Sequence, residues 1–190
     1  MDKITNILIV GVGGQGTLLA SRILGTAIIK AGYDVKVSEV HGMSQRGGSV
    51  ETYVKFGKKV FSPIISDGDA DIILAFEQLE AYRSLSHLKE NGVIIVNDQQ
   101  ITPMPVITGA AKYPQNLLER MEKQVRLTKV DALTLAEQAG NTKAVNVVLI
   151  GVMAKNTDIP YDTWIEALKE TVPEKFLEVN LKAFDLGYNL

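Results

Sequence analysis

Cysteine is absent from this 190-residue sequence, and histidine occurs only twice, as His41 and His87. Without cysteine the chain has no disulfide, no thiolate zinc site, no cysteine nucleophile and no cysteine-bound iron–sulfur cluster. Two histidines also argue against a histidine-rich metal centre. Any chemistry in this chain therefore has to come from other side chains and from backbone groups.

Charge of one sign is not in excess either, because 20 basic and 22 acidic side chains leave a net charge of −2. This balance provides no broad field that would attract nucleic acid or an anionic membrane. No apolar run approaches the about 18 residues that a membrane helix needs. The first residues lack the pattern of a signal peptide, since their apolar run is short and ends at glycine. We therefore expect a soluble, cytoplasmic protein with no nucleic-acid or membrane partner.

The residues that are present predict one α/β domain over 1–190. Hydrophobic residues make up 46% and charged residues 22% of the sequence, a globular mixture, and the length suffices for one core. An apolar run at 6–10 predicts a strand buried on both faces, and helical spacing at 15–31 predicts a helix. Alternation at 34–40 predicts the next strand. Strand, glycine turn, helix and strand together open a doubly wound sheet.

The rest of the sequence continues this pattern. Further strands are predicted at 49–56, 71–76, 92–97 and 124–130. Helices are predicted at 77–90, 131–139, 143–155, 161–170 and 173–186. Residues 101–113, rich in proline, are predicted to form a loop. The predicted fold is therefore Rossmann-like and doubly wound: a mainly parallel sheet with helices on both faces and a helical C-terminal segment.

The first glycine cluster has the form G-x-G-x-x-G and lies between the first predicted strand and helix. In this position glycines permit a tight turn and let backbone N–H groups at the helix start approach a phosphate. An ATP-type phosphate loop is excluded, because Thr17 stands where that motif requires lysine. A tight turn without a ligand remains the alternative. The candidate residues for cofactor binding are Gly11, Gly13, Gly14, Gln15 and Gly16.

A second glycine-rich loop follows the second predicted strand. We expect the first two strands to be adjacent and parallel, so both loops should lie at the same carboxyl edge and face one another. The planar guanidinium of Arg46 suits phosphate, so this pair of loops favours a polyanion or a thioester cofactor over a ribose diol. The alternative is that Arg46 pairs with a surface carboxylate and the glycines only turn the chain. The candidate residues here are Ser44, Gln45, Arg46, Gly47 and Gly48.

These two loops in this order resemble the gamma-type subunits of 2-oxoacid:ferredoxin oxidoreductases. The segment H-G-M-S-Q-R-G-G at 41–48 is most similar to the small beta subunit of the indolepyruvate enzymes in this family. The resemblance extends to 146–151 and 175–187 and is weak at 98–129. It implies a small subunit that contributes to coenzyme A binding and to the active-site mouth, while an aryl 2-oxoacid is decarboxylated to acyl-CoA.

The resemblance also implies where the other cofactors lie. Thiamine diphosphate, Mg²⁺ and [4Fe–4S] clusters are expected on a large partner subunit, and ferredoxin is reached through the complex. Coenzyme A is the co-substrate, and this chain alone is expected to hold no cofactor, to contribute no catalytic residue and to be inactive. A cysteine-free sequence is consistent with this division, because it cannot hold the clusters.

Three alternatives remain at this stage. The chain could be the gamma subunit of an enzyme for pyruvate, 2-oxoisovalerate or 2-oxoglutarate. It could be a stand-alone NAD(P)-dependent dehydrogenase, with Glu39 on the ribose. It could also be a nucleotide-sensing module, although no basic cluster offers an output element. Among single residues, His41 is a candidate for ligand or partner contact, His87 is expected on the surface, and Asn146 is expected to be a satisfied buried amide.

Overall fold

The computed structural model describes residues 4–42 and 47–190. The strands are β1 (Thr5–Val12), β2 (Asp34–His41), β3 (Ser49–Gly57), β4 (Ala70–Ala75), β5 (Leu88–Asn97) and β6 (Arg126–Val130). The helices are α1 (Thr17–Lys30), α2 (Gln78–Arg83), α3 (Met104–Ile107), α4 (Leu117–Glu122), α5 (Ala132–Ala139), α6 (Val145–Ala154), α7 (Tyr161–Thr171) and α8 (Glu174–Tyr188). The six strands form one sheet in the order β2-β3-β1-β4-β5-β6.

The sheet is mainly parallel, as predicted. β4, β5 and β6 continue in the direction of β1, whereas β3 runs antiparallel to both of its neighbours, β1 and β2. The expectation that the first two strands are adjacent is wrong, because β3 lies between them. The connection 42–48 is shorter than the dozen or so residues that a parallel crossover needs. β2 and β3 therefore form a hairpin, and β3 takes the place beside β1.

Helices cover both faces of the sheet, as predicted. The central strands are apolar at successive positions, and successive side chains point to opposite faces, so both faces have to be covered. On one face Ile7 and Ile9 belong to a buried cluster that also contains residues of α1, α5, α6, α7 and α8. On the other face Leu8 packs in a smaller cluster with Ala81 of α2 and Met121 of α4. The larger layer of helices holds most of the core.

The predicted charged helix at 77–90 is wrong over its second half. α2 ends at Arg83, a 3-10 turn spans Leu85–His87, and β5 begins at Leu88. Near the start of β5, Lys89, Glu90 and Asn91 are exposed, while the last six residues of the strand are buried. The charged residues at 77–90 predict a solvent-facing helix. Residues 88–91 are instead strand, because they continue directly into the buried part of β5.

Helices α6 and α8 touch backbone to backbone at two glycines. A Cβ added at Gly187 would lie 2.1 Å from the carbonyl oxygen of Val148, and one added at Gly151 would lie 2.3 Å from that of Phe184. Every residue of α6 from Asn146 to Ala154 is buried. These glycines allow α8 to cover α6 at a distance that no larger residue permits.

Candidate functional site

The first glycine loop connects the carboxyl end of β1 to the start of α1. Gly14 and Gly16 have φ values of 101° and 85°, in the left-handed region that favours glycine. Gly16 is the N-cap of α1 and has no side chain with which to cap the helix. Among the described residues, no side chain caps the first N–H groups of this 14-residue helix, and the helix dipole points its positive end at the loop.

Close packing also requires glycine at the ends of this loop. A Cβ at Gly11 would lie 2.9 Å from Oε1 of Gln15 and 3.0 Å from Cβ of Phe76. A Cβ at Gly16 would lie 2.8 Å from Nδ2 of Asn146, which donates to the Gly16 carbonyl at 3.3 Å. The loop is thus packed against the ends of β4 and α6.

The two glycine loops meet, as the sequence predicts. The Gly13 N–H donates to the Gly48 carbonyl at 2.9 Å, and the Gly47 N–H donates more weakly to the Gly13 carbonyl at 3.5 Å. The two loops meet although β1 and β2 are not adjacent, because the second loop ends at the start of β3, which pairs with the end of β1. Ser44, Gln45 and Arg46 lie outside the described residues, and the assignment of all ten candidate residues to cofactor binding remains a prediction.

The side chain of Gln15 joins three strands at the carboxyl edge of the sheet. Its Oε1 accepts from the Val12 N–H at 2.8 Å. Its Nε2 donates to the Phe76 carbonyl at 3.1 Å and to Oε1 of Gln99 at 3.2 Å. All three contacts are internal, so the side chain of Gln15 braces the loop, and what the loop offers to a ligand is backbone.

A row of amides at the end of β5 continues this network. Asn97 is buried, and its Nδ2 donates to the Phe76 carbonyl and to Oε1 of Gln99, both at 3.2 Å. Its Oδ1 accepts from the Ala132 N–H at 3.2 Å. Sequence reasoning missed these residues, although the run N-D-Q-Q at 97–100 directly after a predicted strand was an available signal.

Two buried glutamates lie at the start of α2, and sequence reasoning missed both. Glu77 caps α2 by accepting from the Leu79 N–H at 3.0 Å and from the Glu80 N–H. Burial raises the pKa of Glu77, against the opposing effect of these amides. Glu80 accepts from the Ser49 hydroxyl at 2.5 Å and from Nη1 of Arg83 at 2.6 Å.

Tyr113 brings the proline-rich segment to the same place. Its hydroxyl is buried and has no hydrogen-bond partner in the part of the chain that the structure describes. Burial, and next the charge of Glu77, raise the pKa of Tyr113 to about 12. The phenol therefore stays protonated throughout the physiological pH range.

The remaining single residues fall in different places. Glu39 is exposed on β2, and its carboxylate accepts from Thr52 at 3.3 Å, so β3 separates it from the first glycine loop. His41 is exposed at the end of β2. His87 is half-buried against the ring of Tyr53, so the expected surface position is only partly right. Asn146 is a satisfied buried amide, as predicted.

Neither a membrane helix nor a metal-binding cluster is found within residues 4–42 and 47–190. No helix there is long and apolar enough to cross a membrane. The same ranges contain no group of three or more histidine, aspartate or glutamate side chains that could hold a metal ion.

Residues 6–190 match the model of one protein family, described as pyruvate ferredoxin/flavodoxin oxidoreductase. The chain belongs to this family. The resemblance carried by the two glycine loops is therefore confirmed over nearly the whole sequence. A similar curated protein is the indolepyruvate oxidoreductase subunit IorB of Pyrococcus horikoshii. The two sequences are 45% identical over an alignment of 190 positions, which covers 96% of this chain and 93% of that protein.

Solved structures of oxoacid:ferredoxin oxidoreductases share the fold. The gamma subunit of a keto/oxoacid ferredoxin oxidoreductase from Geobacter sulfurreducens is 29% identical, with a TM-score of 0.71 and coverage of 97% of this chain and 96% of that one. The 2-oxoglutarate:ferredoxin oxidoreductase of Magnetococcus marinus, solved with 2-oxoglutarate, coenzyme A and succinyl-CoA, has a TM-score of 0.75. At 19% identity it shows the fold alone, and this chain covers 31% of its length.

Proposed function

We propose that the chain is the small subunit of an indolepyruvate, or aryl 2-oxoacid, ferredoxin oxidoreductase. It contributes to coenzyme A binding and to the active-site mouth in the oxidative decarboxylation that gives acyl-CoA. The observation that carries the proposal is the junction of the two glycine loops through Gly13 and Gly48, in a chain 45% identical to an IorB subunit along its length.

The described part of the site suits the phosphates of coenzyme A. No side chain of residues 4–42 or 47–190 caps the N–H groups at the start of α1, and the helix dipole favours an anion there. A ligand phosphate would lie against the backbone of these loops, and the second loop would add Arg46, Ser44 and Gln45. The full set proposed to hold coenzyme A is Gly11, Gly13, Gly14, Gln15, Gly16, Ser44, Gln45, Arg46, Gly47 and Gly48. Gln15 serves in this set by holding the loop.

The proposal places the electron carriers on a large partner subunit. This chain has no cysteine to hold iron–sulfur clusters, so the clusters, with thiamine diphosphate and Mg²⁺, would belong to the partner. Thiamine diphosphate supplies the stabilisation of the carbanion that decarboxylation leaves. The residues of this chain would bind coenzyme A, orient it towards the acyl group and exclude water. Ferredoxin would receive the electrons through the complex, which we place in the cytoplasm.

A second candidate is the gamma subunit of an enzyme for another 2-oxoacid. The 29% identity to the Geobacter sulfurreducens gamma subunit favours it over unrelated activities. The dehydrogenase alternative is disfavoured by geometry. A ribose-binding acid belongs at the end of the strand beside β1, but Glu39 lies one strand further away, beyond β3.

The test is reconstitution with the large subunit from the same genome. The chain alone is expected to reduce neither ferredoxin nor a dye with any 2-oxoacid. The complex should do so with coenzyme A, and indolepyruvate should give a higher kcat/KM than pyruvate, 2-oxoisovalerate or 2-oxoglutarate. A preference for one of these acids would instead support the second candidate. Activity of the chain alone, or micromolar NADH binding, would contradict both.

A further inference from the structure

We infer that Glu80 is a positioning residue for the coenzyme A site, because it holds the end of the second glycine loop through Ser49. The inference rests on the proposed function for its ligand but on hydrogen bonds of the described residues for its geometry. Glu80 is not in either glycine loop and is not expected to touch the ligand.

The carboxylate of Glu80 is buried, and each of its two oxygens accepts a hydrogen bond. The residue is 4% exposed, one oxygen accepts from Ser49 Oγ at 2.5 Å, and the other accepts from Arg83 at 2.6 Å. A buried carboxylate is costly unless it is paired, and charge-assisted hydrogen bonds are shorter and stronger than neutral ones. The bond to Ser49 is therefore expected to be a strong anchor.

Ser49 lies where this anchor has most effect. It is the first residue of β3 and follows Gly47 and Gly48, whose backbones make the contacts to Gly13. Gly47 has a φ of 76°, and two successive glycines leave the backbone free to take many paths. Their position is fixed by the backbone bond to Gly13 on one side and by the Ser49–Glu80 bond on the other.

Helix α2 is itself held rigidly enough to serve as the support. Glu77 caps its first turn, and the Gln78 N–H donates to the Gln99 carbonyl at 2.9 Å. The segment that follows β4 is thus tied to β5 and, through Glu80, to the second loop. If the loop junction forms one wall of the coenzyme A site, a change at Glu80 will move that wall without removing a ligand contact.

The experiment uses the assembled complex and four variants. Glu80→Gln keeps the size of the side chain but removes its charge, and Ser49→Ala removes the donor. Ser49→Thr keeps a hydroxyl and should behave as wild type. Glu137→Gln is the matched control, because Glu137 is an exposed glutamate on α5. We measure the KM for coenzyme A, the rate of carbon dioxide release without coenzyme A, and hydrogen exchange of residues 47–50.

Glu80→Gln and Ser49→Ala are each expected to raise the KM for coenzyme A about tenfold. Their effects on the KM should not add in the double variant, because Glu80→Gln weakens the same bond that Ser49→Ala removes. Exchange at 47–50 should rise, and carbon dioxide release should stay unchanged. Unchanged exchange in both variants would overturn the positioning role, whatever the ligand is.

Two further outcomes separate this inference from the proposed function. Faster exchange with an unchanged KM in an active complex would show that the loop junction is no part of the coenzyme A site, which overturns the inference. A wild-type complex whose activity does not depend on coenzyme A would overturn the proposed function. In that case the exchange data alone decide whether Glu80 holds the loop.

Discussion

Replacing Gln15 tests whether its side chain holds the first glycine loop. In Gln15→Ala the Val12 N–H loses the acceptor that it has at 2.8 Å. The Phe76 carbonyl and Oε1 of Gln99 each keep a donor, because Nδ2 of Asn97 also bonds to both. One orphaned donor therefore sets the cost. A buried orphan costs about 1–3 kcal/mol, and Gln15 is only half-buried, so water limits the loss to about 1–2 kcal/mol.

Gln15→Glu gives a sharper test because it keeps the shape. One carboxylate oxygen can still accept from Val12. The other replaces Nε2 and faces two acceptors, the Phe76 carbonyl at 3.1 Å and Oε1 of Gln99 at 3.2 Å. Gln99 can relieve one clash by turning its amide, but the backbone carbonyl cannot turn. We expect this variant to be less stable than Gln15→Ala by about 1 kcal/mol at pH 7.

Urea unfolding of the purified chain measures both values, with the fluorescence of the single tryptophan, Trp164, as the signal. Trp164 is fully buried, so its emission reports on the core. Gln138→Ala, at an exposed position on α5, is the control and should change the free energy of unfolding by less than about 0.5 kcal/mol. If Gln15→Ala is as stable as wild type, or if Gln15→Glu is the more stable variant, the bracing role is wrong.

Three other expectations concern packing, pH and binding. Gly187→Ala forces a Cβ to within 2.1 Å of the Val148 carbonyl oxygen and should lower the free energy of unfolding in urea by about 3 kcal/mol. The control is Gly25→Ala, in open space on α1, which should be neutral or stabilising. Equal stabilities of the Gly187→Ala and Gly25→Ala variants would refute the close contact. Burial raises the pKa of Glu77 in the folded state above its ordinary value of 4.5. The free energy of unfolding of wild type, compared with that of Glu77→Gln, should therefore fall as the pH rises from 4.5 through the folded-state pKa. An increase of this difference over the same pH range would contradict the prediction. Arg46→Ala should weaken coenzyme A binding roughly ten- to hundredfold while carbon dioxide release without coenzyme A survives. If both steps fail together, Arg46 supports the fold or the subunit contact.

The parts of the fold that could be predicted are those whose signal is local. The turn at 11–16 and the helix behind it follow from glycine position and helical spacing, and the helices of the last third follow from their apolar periodicity. The place of β3 could not be predicted in this way. Strand order depends on which neighbour buries the most surface, and here the shortness of the 42–48 connection was the overlooked clue.

The candidate site could be predicted from the sequence only where its contacts are made by backbone groups. Glycines at 11–16 and 47–48 identify a place where two loops can approach closely. The residues that hold those loops, Gln99, Asn97 and Glu80, are distant in sequence and belong to residue types that are common on surfaces. Their roles depend on pairing across strands and helices, which one sequence does not display.

The glycine contact between α6 and α8 has a consequence for the order in which the molecule can be built during synthesis. α6 is buried on all sides, yet the helix that covers it is made later, after α7. A nascent chain that ends between them exposes both α6 and part of the sheet face, a surface that chaperones bind and that aggregates readily. The side chain that closes over Gly16, from Asn146, is carried by the same helix. The first glycine turn is among the first segments to leave the ribosome, but the helix that packs against it is made some 130 residues later.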